Sequence, residues 1–146
     1  MRSIFIGSDH AGFEVKSFLL EYIAQKYPEF NVVDCGTYSS ERTNYSKHAH
    51  NLSKSLQNSQ ENDFGILICG SGIGVSIVAN RYKGLRAALI YNEKIAELSR
   101  QHNNANVACF GARFFSANEI KDMVEIFLAT AFLGGVHLER VLNIEL

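Results

Sequence analysis

The stretch "FGILICGSGIGVSIVANR", residues 64–81, decides the fold. An apolar run ends at Cys69, glycines follow at Gly70, Gly72 and Gly74, and an apolar helical pattern begins at Ile73. A short apolar run suits a strand buried on both faces, and its turn directly into a helix is one half of a parallel β-α-β unit. Working outward, "SIFIGS" (3–8), "NVVDC" (31–35), "RAALI" (86–90) and "NVACF" (106–110) repeat the strand character. Helical patterns lie between them. One starts near Phe13, with Val15, Leu19, Leu20 and Ile23 on its apolar face; others fit 46–58, 73–82, 93–102 and 117–132. After Gly134 and Gly135, "VHLERVLNIE" makes a short C-terminal helix. Strand and helix in alternation predict a doubly wound α/β sheet.

The bulk composition narrows the function classes. A chain of 146 residues reads as a single domain over 1–146. Hydrophobic residues make up 47% and charged residues 20%, with a net charge of −1. That balance gives no electrostatic footprint for nucleic acid or an anionic membrane. Cys35, Cys69 and Cys109 are odd in number and include no CxxC, so neither a disulfide framework nor a zinc knuckle is suggested. No HxxxH, HExxH or Cys/His cluster points to a metal. His48 and His50 point to different helix faces and read as surface residues. The N-terminus "MRSIFIGSDH" is no signal peptide, and "IFLATAFL" (126–133) is far shorter than a membrane span. A cytoplasmic location, with reduced thiols, is expected.

In doubly wound sheets, ligands bind beyond the carboxyl ends of the strands, where strand order reverses. That rule selects "SDHAGF", "CGSGIG", "RQHNN" and "GARF". The glycine loop is not a dinucleotide fingerprint, because the third glycine position of G-x-G-x-x-G is Val75. It lacks the Gly-Lys-Ser/Thr ending of a P-loop and the first glycine of a nucleophile elbow. Two readings remain: a tight turn with no ligand, or a loop whose N–H groups meet an oxyanion or phosphate. Cys69 tilts the balance to the second. At a strand end, the helix terminus beside it favours negative charge on sulfur, which makes the thiol a base or a nucleophile. Cys35 and Cys109 read instead as small buried hydrophobes. Ser71 adds a hydroxyl to the loop.

The other polar positions each carry a bland reading beside the functional one. Asp9 is a helix cap or, with His10, part of a site. His102 and Asn103 end a helix as a cationic terminus and cap, or reach the same sheet edge. Arg113 and Arg140 are solvated surface arginines, or the guanidinium donors that a phosphorylated substrate needs.

Taken together, "GSDHAGF", "DCGTYSSERTNY", "ILICGSGIGVSIVANR", "GLRAALIYN", "LSRQHNNANVACFGAR" and "FLGGVHLERV" resemble the B-type ribose-5-phosphate isomerases. These belong with the galactose-6-phosphate isomerase subunits in one sugar-phosphate isomerase family. The resemblance runs in order from Ile4 to about Val141. It implies a Rossmann-like three-layer fold with a five-stranded parallel sheet flanked by helices. It further implies no metal or organic cofactor, and a homodimer or dimer of dimers with active sites at the subunit interface. The implied reaction interconverts D-ribose 5-phosphate and D-ribulose 5-phosphate in the pentose phosphate pathway.

Residue by residue, the resemblance makes Cys69 the base that moves a proton between C2 and C1. The loop of Gly70, Gly72, Ile73 and Gly74 holds the enediolate oxygens, with Ser71 near the ring-opening chemistry. His102 opens the furanose ring, Asp9 binds sugar hydroxyls, and Asn103 reaches the substrate with His102 from the partner subunit. His10, Arg113 and Arg140 surround the phosphate, and Tyr45 enters the site. Two departures stand out: Val136 occupies a position where the family commonly has arginine, and "NYS" (44–46) replaces Asp-Tyr-Pro. The first leaves a hexose-6-phosphate isomerase open as a rival. A phosphosugar-binding module without turnover is a further alternative, against which Cys69, Ser71 and His102 argue together. A thiol hydrolase lacks a third group to orient a histidine.

Overall fold

The computed structural model describes residues 1–145. In it the strand of the decisive stretch, Phe64–Cys69, is buried along its whole length. It is the third of five. The order along the chain is β1 (Arg2–Ser8), a 3-10 turn (His10–Gly12), α1 (Phe13–Lys26), β2 (Phe30–Asp34), α2 (Tyr45–Gln57), β3 (Phe64–Cys69) and α3 (Ile73–Ala79). Then come β4 (Ala87–Leu89), α4 (Glu93–Gln101), β5 (Val107–Gly111), α5 (Ala117–Ala129), α6 (Val136–Leu142) and a closing 3-10 turn (Asn143–Glu145). All pairings are parallel, in the order β2-β1-β3-β5-β4.

Period-2 alternation along the central strands builds the two outer layers. Phe64, Ile66 and Ile68 of β3 and Ala108 and Phe110 of β5 face one core, with Leu19 and Ile23 of α1 and Ile120 and Phe127 of α5. Leu67 and Cys69, with Val107 and Cys109, face the other, beneath Leu52 of α2 and Val75 of α3. Both remaining thiols behave as buried apolar groups: burial pushes Cys35 up to about 11 and raises Cys109 further. The order reverses between β1 and β3, so the Asp9 and Cys69 segments leave neighbouring strands at the switch point.

Element boundaries move only slightly from the sequence expectation. β2 begins at Phe30 and leaves Cys35 beyond it, while α3 stops at Ala79, where Asn80 turns aside to exchange hydrogen bonds with Ala87. One expectation fails. His48 is not a surface residue but is 5% exposed, with Nε2 3.0 Å from Thr43 Oγ1. His50 does lie at the surface, against the Tyr82 hydroxyl.

Candidate active site

β3 ends in the glycine loop, and each glycine has a steric reason. Gly72 has φ +80°, and a Cβ there would stand 2.8 Å from Leu89 Cδ1 and from the Phe110 carbonyl carbon. A Cβ on Gly74 would sit 2.6 Å from the Tyr45 ring, and one on Gly70 would stand 3.0 Å from Arg113 Nη1. Gly111, at the end of β5, lies under the loop; a Cβ there would be 2.7 Å from Ser71 O. The loop is therefore pressed between β5 on one side and Tyr45 and Arg113 on the other.

The thiol lies at the start of this packed loop. Cys69 is 5% exposed, and its Sγ accepts the Gly72 N–H at 3.2 Å. That contact fixes the sulfur against the turn of the glycine loop. Ile73 N–H donates to Ser71 Oγ at 3.2 Å. The N–H groups of Ser71 and Gly74 find no acceptor among the described residues, and so stay available to a developing oxyanion. Asp9 and Arg113 complete a cavity of about 310 Å³ around Cys69, Ser71 and Gly74, and Tyr45 borders it as well.

Asp9 combines both of its readings. Its Oδ1 caps the 3-10 turn, accepting from Ala11 N–H at 3.0 Å and Gly12 N–H at 3.3 Å, and the residue still lines the cavity. His10 lies just outside, with Nδ1 3.1 Å from Thr43 N and 3.2 Å from Thr43 O. Nδ1 accepts from Thr43 N–H in the tautomer that leaves it bare and donates to Thr43 C=O in the tautomer that carries its hydrogen. Nothing in the sequence marked Thr43, or the buried His48 that holds its hydroxyl; their link to His10 is visible only in three dimensions. At the departure "NYS", Asn44 Oδ1 accepts from Ser46 N–H at 2.9 Å and caps α2.

The remaining predicted residues gather elsewhere. His102 caps the end of α4 and, with Asn103 and Arg140, lines a separate cavity of about 290 Å³. His137, which sequence reasoning missed, stacks on His102 with ring centroids 4.2 Å apart and planes 14° from parallel. Burial, then His102 and Arg140, hold His137 below the usual histidine range. Its only signal in the sequence is the i, i+3 spacing to Arg140 on a short helix. Val136 is 70% exposed and lies one turn before Arg140 on the same face of α6. Within one chain, then, the thiol group and the histidine group do not share a cavity.

A five-stranded parallel sheet with acid–base and phosphate-binding side-chain types at its carboxyl edge places the chain among the Rossmann-like α/β proteins. More narrowly, the chain belongs to the Ribose/Galactose Isomerase family, whose pattern matches residues 4–144. The ribose-5-phosphate isomerase B of Escherichia coli is 40% identical over 97% of this chain and 93% of its own length. The crystal structure of a ribose 5-phosphate isomerase from Thermotoga maritima aligns with a TM-score of 0.92 and 44% identity, covering 99% of this chain and 97% of that one. Ribose-5-phosphate isomerase B from Mycoplasma genitalium, solved with bound ribulose-5-phosphate, aligns at 0.92 and 42%, covering 97% and 93%.

Proposed function

We propose that this protein interconverts D-ribose 5-phosphate and D-ribulose 5-phosphate, with Cys69 as the base. The Cys69 thiolate takes the C2 proton of the open-chain aldose, leaving an enediolate; the resulting thiol returns a proton to C1, and the O2 proton passes to O1. Ser71 and Gly74 N–H stabilise the charge on oxygen as it develops, the term that usually contributes most to such a step. Asp9 holds sugar hydroxyls, Ser71 stands near the ring-opening chemistry, and His10, Arg113 and Arg140 bind phosphate. His102 and Asn103 come from a second copy of the chain in a homodimer, and His102 opens the furanose ring. The separation of the two cavities supports that division, as do the half-exposed apolar residues Ile73 and Ile77 of α3 and Leu138 of α6. The observation that carries the reading is the Cys69 sulfur, held by the Gly72 N–H in the cavity that Asp9 and Arg113 border.

Val136 favours a second reading, an isomerase of hexose 6-phosphates, because one phosphate donor fewer leaves room for a longer sugar. The test is an isomerisation assay on ribose 5-phosphate beside allose 6-phosphate and galactose 6-phosphate, with EDTA present. Preference for ribose 5-phosphate is expected. Preference for either hexose would move the assignment within the family, and no turnover on any of the three would leave a binding module.

A further inference from the structure

The amino ends of the strands, opposite the thiol, hold a cavity of about 310 Å³. It opens roughly 17 Å from Cys69, since five residue steps along β3 rise about 3.3 Å each. Lys83, Arg86 and Arg100 line it, with the carboxylates Glu61 and Asp63. Those two acids do not neutralise the arginines. Asp63 spends its oxygens on Ser3 N–H at 2.8 Å and Gln60 N–H at 3.2 Å, and Glu61 is exposed. Among the described residues neither arginine forms an ion pair.

Arg100 is the unusual member, with only 8% of its surface exposed. Its Nη1 donates to Asn104 Oδ1 and Ala105 O, and its Nε to Thr130 O. Arg86 donates from Nε to Asn104 O and from Nη1 to Gly84 O. Every one of these acceptors is neutral. Asn104, at φ +47°, thus ties both guanidinium groups to one wall, and each leaves Nη2 without an acceptor among the described residues. Arg2 adds a third guanidinium on the Phe64 ring that Arg100 also covers, 5.0 Å from its centre in each case. Burial, then Arg86 and Arg2, lower Arg100 to about 10. Glu145 acts on Arg86 through space but accepts from Gly84 N–H at 2.8 Å, and no described carboxylate forms an ion pair with either guanidinium. Buried cations are ordinarily paired, and cations gathered without an ion-pair partner leave a favourable place for an anion.

We infer that this arginine-lined cavity is a second ligand site, which binds a small oxyanion of the phosphate class through the free Nη2 groups of Arg86 and Arg100, with Lys83 at the rim. The inference is independent of the reaction at Cys69. The test is a titration of the ¹⁵N-labelled full-length chain with inorganic phosphate at constant ionic strength, followed by amide shifts. Amides of residues 83–86 and 104–106 should shift to saturation, separately from any response of the Cys69 loop. Hydrogen bonds to a charged group are worth about 1.5–3 kcal/mol, so Arg86→Gln should weaken that saturation about ten- to a hundredfold. Lys83→Glu, at an exposed position, should weaken it about tenfold while leaving the fold intact. Shifts at these amides that rise without saturating, or an affinity unchanged in Lys83→Glu, would overturn the inference.

Discussion

The Cys69 loop and the His102 cluster are built on opposite principles. The loop is closely packed at its glycines: Gly72, Gly74 and Gly111 exist where a single added carbon would strike Leu89, Tyr45 or Ser71. The His102 cluster stands on the end of α4 and on α6, a helix with no buried residue in the chain by itself. On the proposed reading, proton removal from carbon needs a base and an oxyanion site that do not rearrange during the step, and the packed loop meets that need. On the same reading, ring opening and phosphate capture fall to this exposed half, which would take its place when a second copy of the chain docks. The contrast predicts that changes in the loop damage turnover whatever the substrate, while changes in the cluster act selectively.

The strongest test removes the base. Cys69→Ala should lower isomerisation about 10²–10⁴-fold, the usual worth of general acid–base catalysis, with substrate binding by calorimetry retained. Near-normal turnover would end the assignment. His102→Asn should approach that loss on ribose 5-phosphate but not on ribulose 5-phosphate, which has no furanose form to open because its C5 oxygen is phosphorylated. Equal losses on the two substrates would erase the distinction between the halves.

Gly111→Ala probes the rigid half without touching a reacting group. Its Cβ would lie 2.7 Å from Ser71 O, so the loop must shift, and a misplacement of about 1 Å costs turnover on the order of 100-fold. The expected signature is a fall in kcat with a folded protein by circular dichroism; an unchanged kcat would show that the loop position is not critical.

Arg140→Ala should raise KM about ten- to a hundredfold through the loss of a charge-assisted hydrogen bond to phosphate. Val136→Arg, one turn away on the same face, should lower KM for ribose 5-phosphate. A gain for a six-carbon phosphate alone would favour the hexose reading, and no change would place position 136 outside the site.

The smallest effect concerns His48. Burial, then Lys47, lower its pKa from 6.5, while Asp9 opposes them. The unfolded chain therefore binds the proton more readily than the folded one. Stability should decline as pH falls from about 6.5 towards the lower folded value, and level off below it. Urea midpoints at pH 7 and pH 5.5 should differ more in the wild-type chain than in His48→Gln. Equal differences would remove His48 as the source.

Legibility in the sequence followed the range of the interactions. The strand–turn–helix at 64–81 was readable because burial on both faces and glycine punctuation act within a few residues. Asp9 was harder, because one carboxylate both caps the 3-10 turn and borders the cavity, and spacing alone cannot separate those roles. His48 was misread because its 13-residue helix has one face under the sheet and only packing says which. His137 and the Arg86–Arg100 cavity were not visible at all, since each depends on segments far apart in the chain.

By itself the sequence determined the parallel α/β class, the number of strands, the short final helix and, through its ordered motifs, the family. Those features rest on periodicity, turn chemistry and residue type, all of which are local. Only the tertiary structure decided the order β2-β1-β3-β5-β4, which sets Asp9 beside Cys69, and the packing of Gly111 against the Ser71 backbone of the glycine loop. It also decided that His102 stacks on His137 away from that thiol. Strand order and ring stacking arise from contacts between distant segments, so no window of sequence contains them.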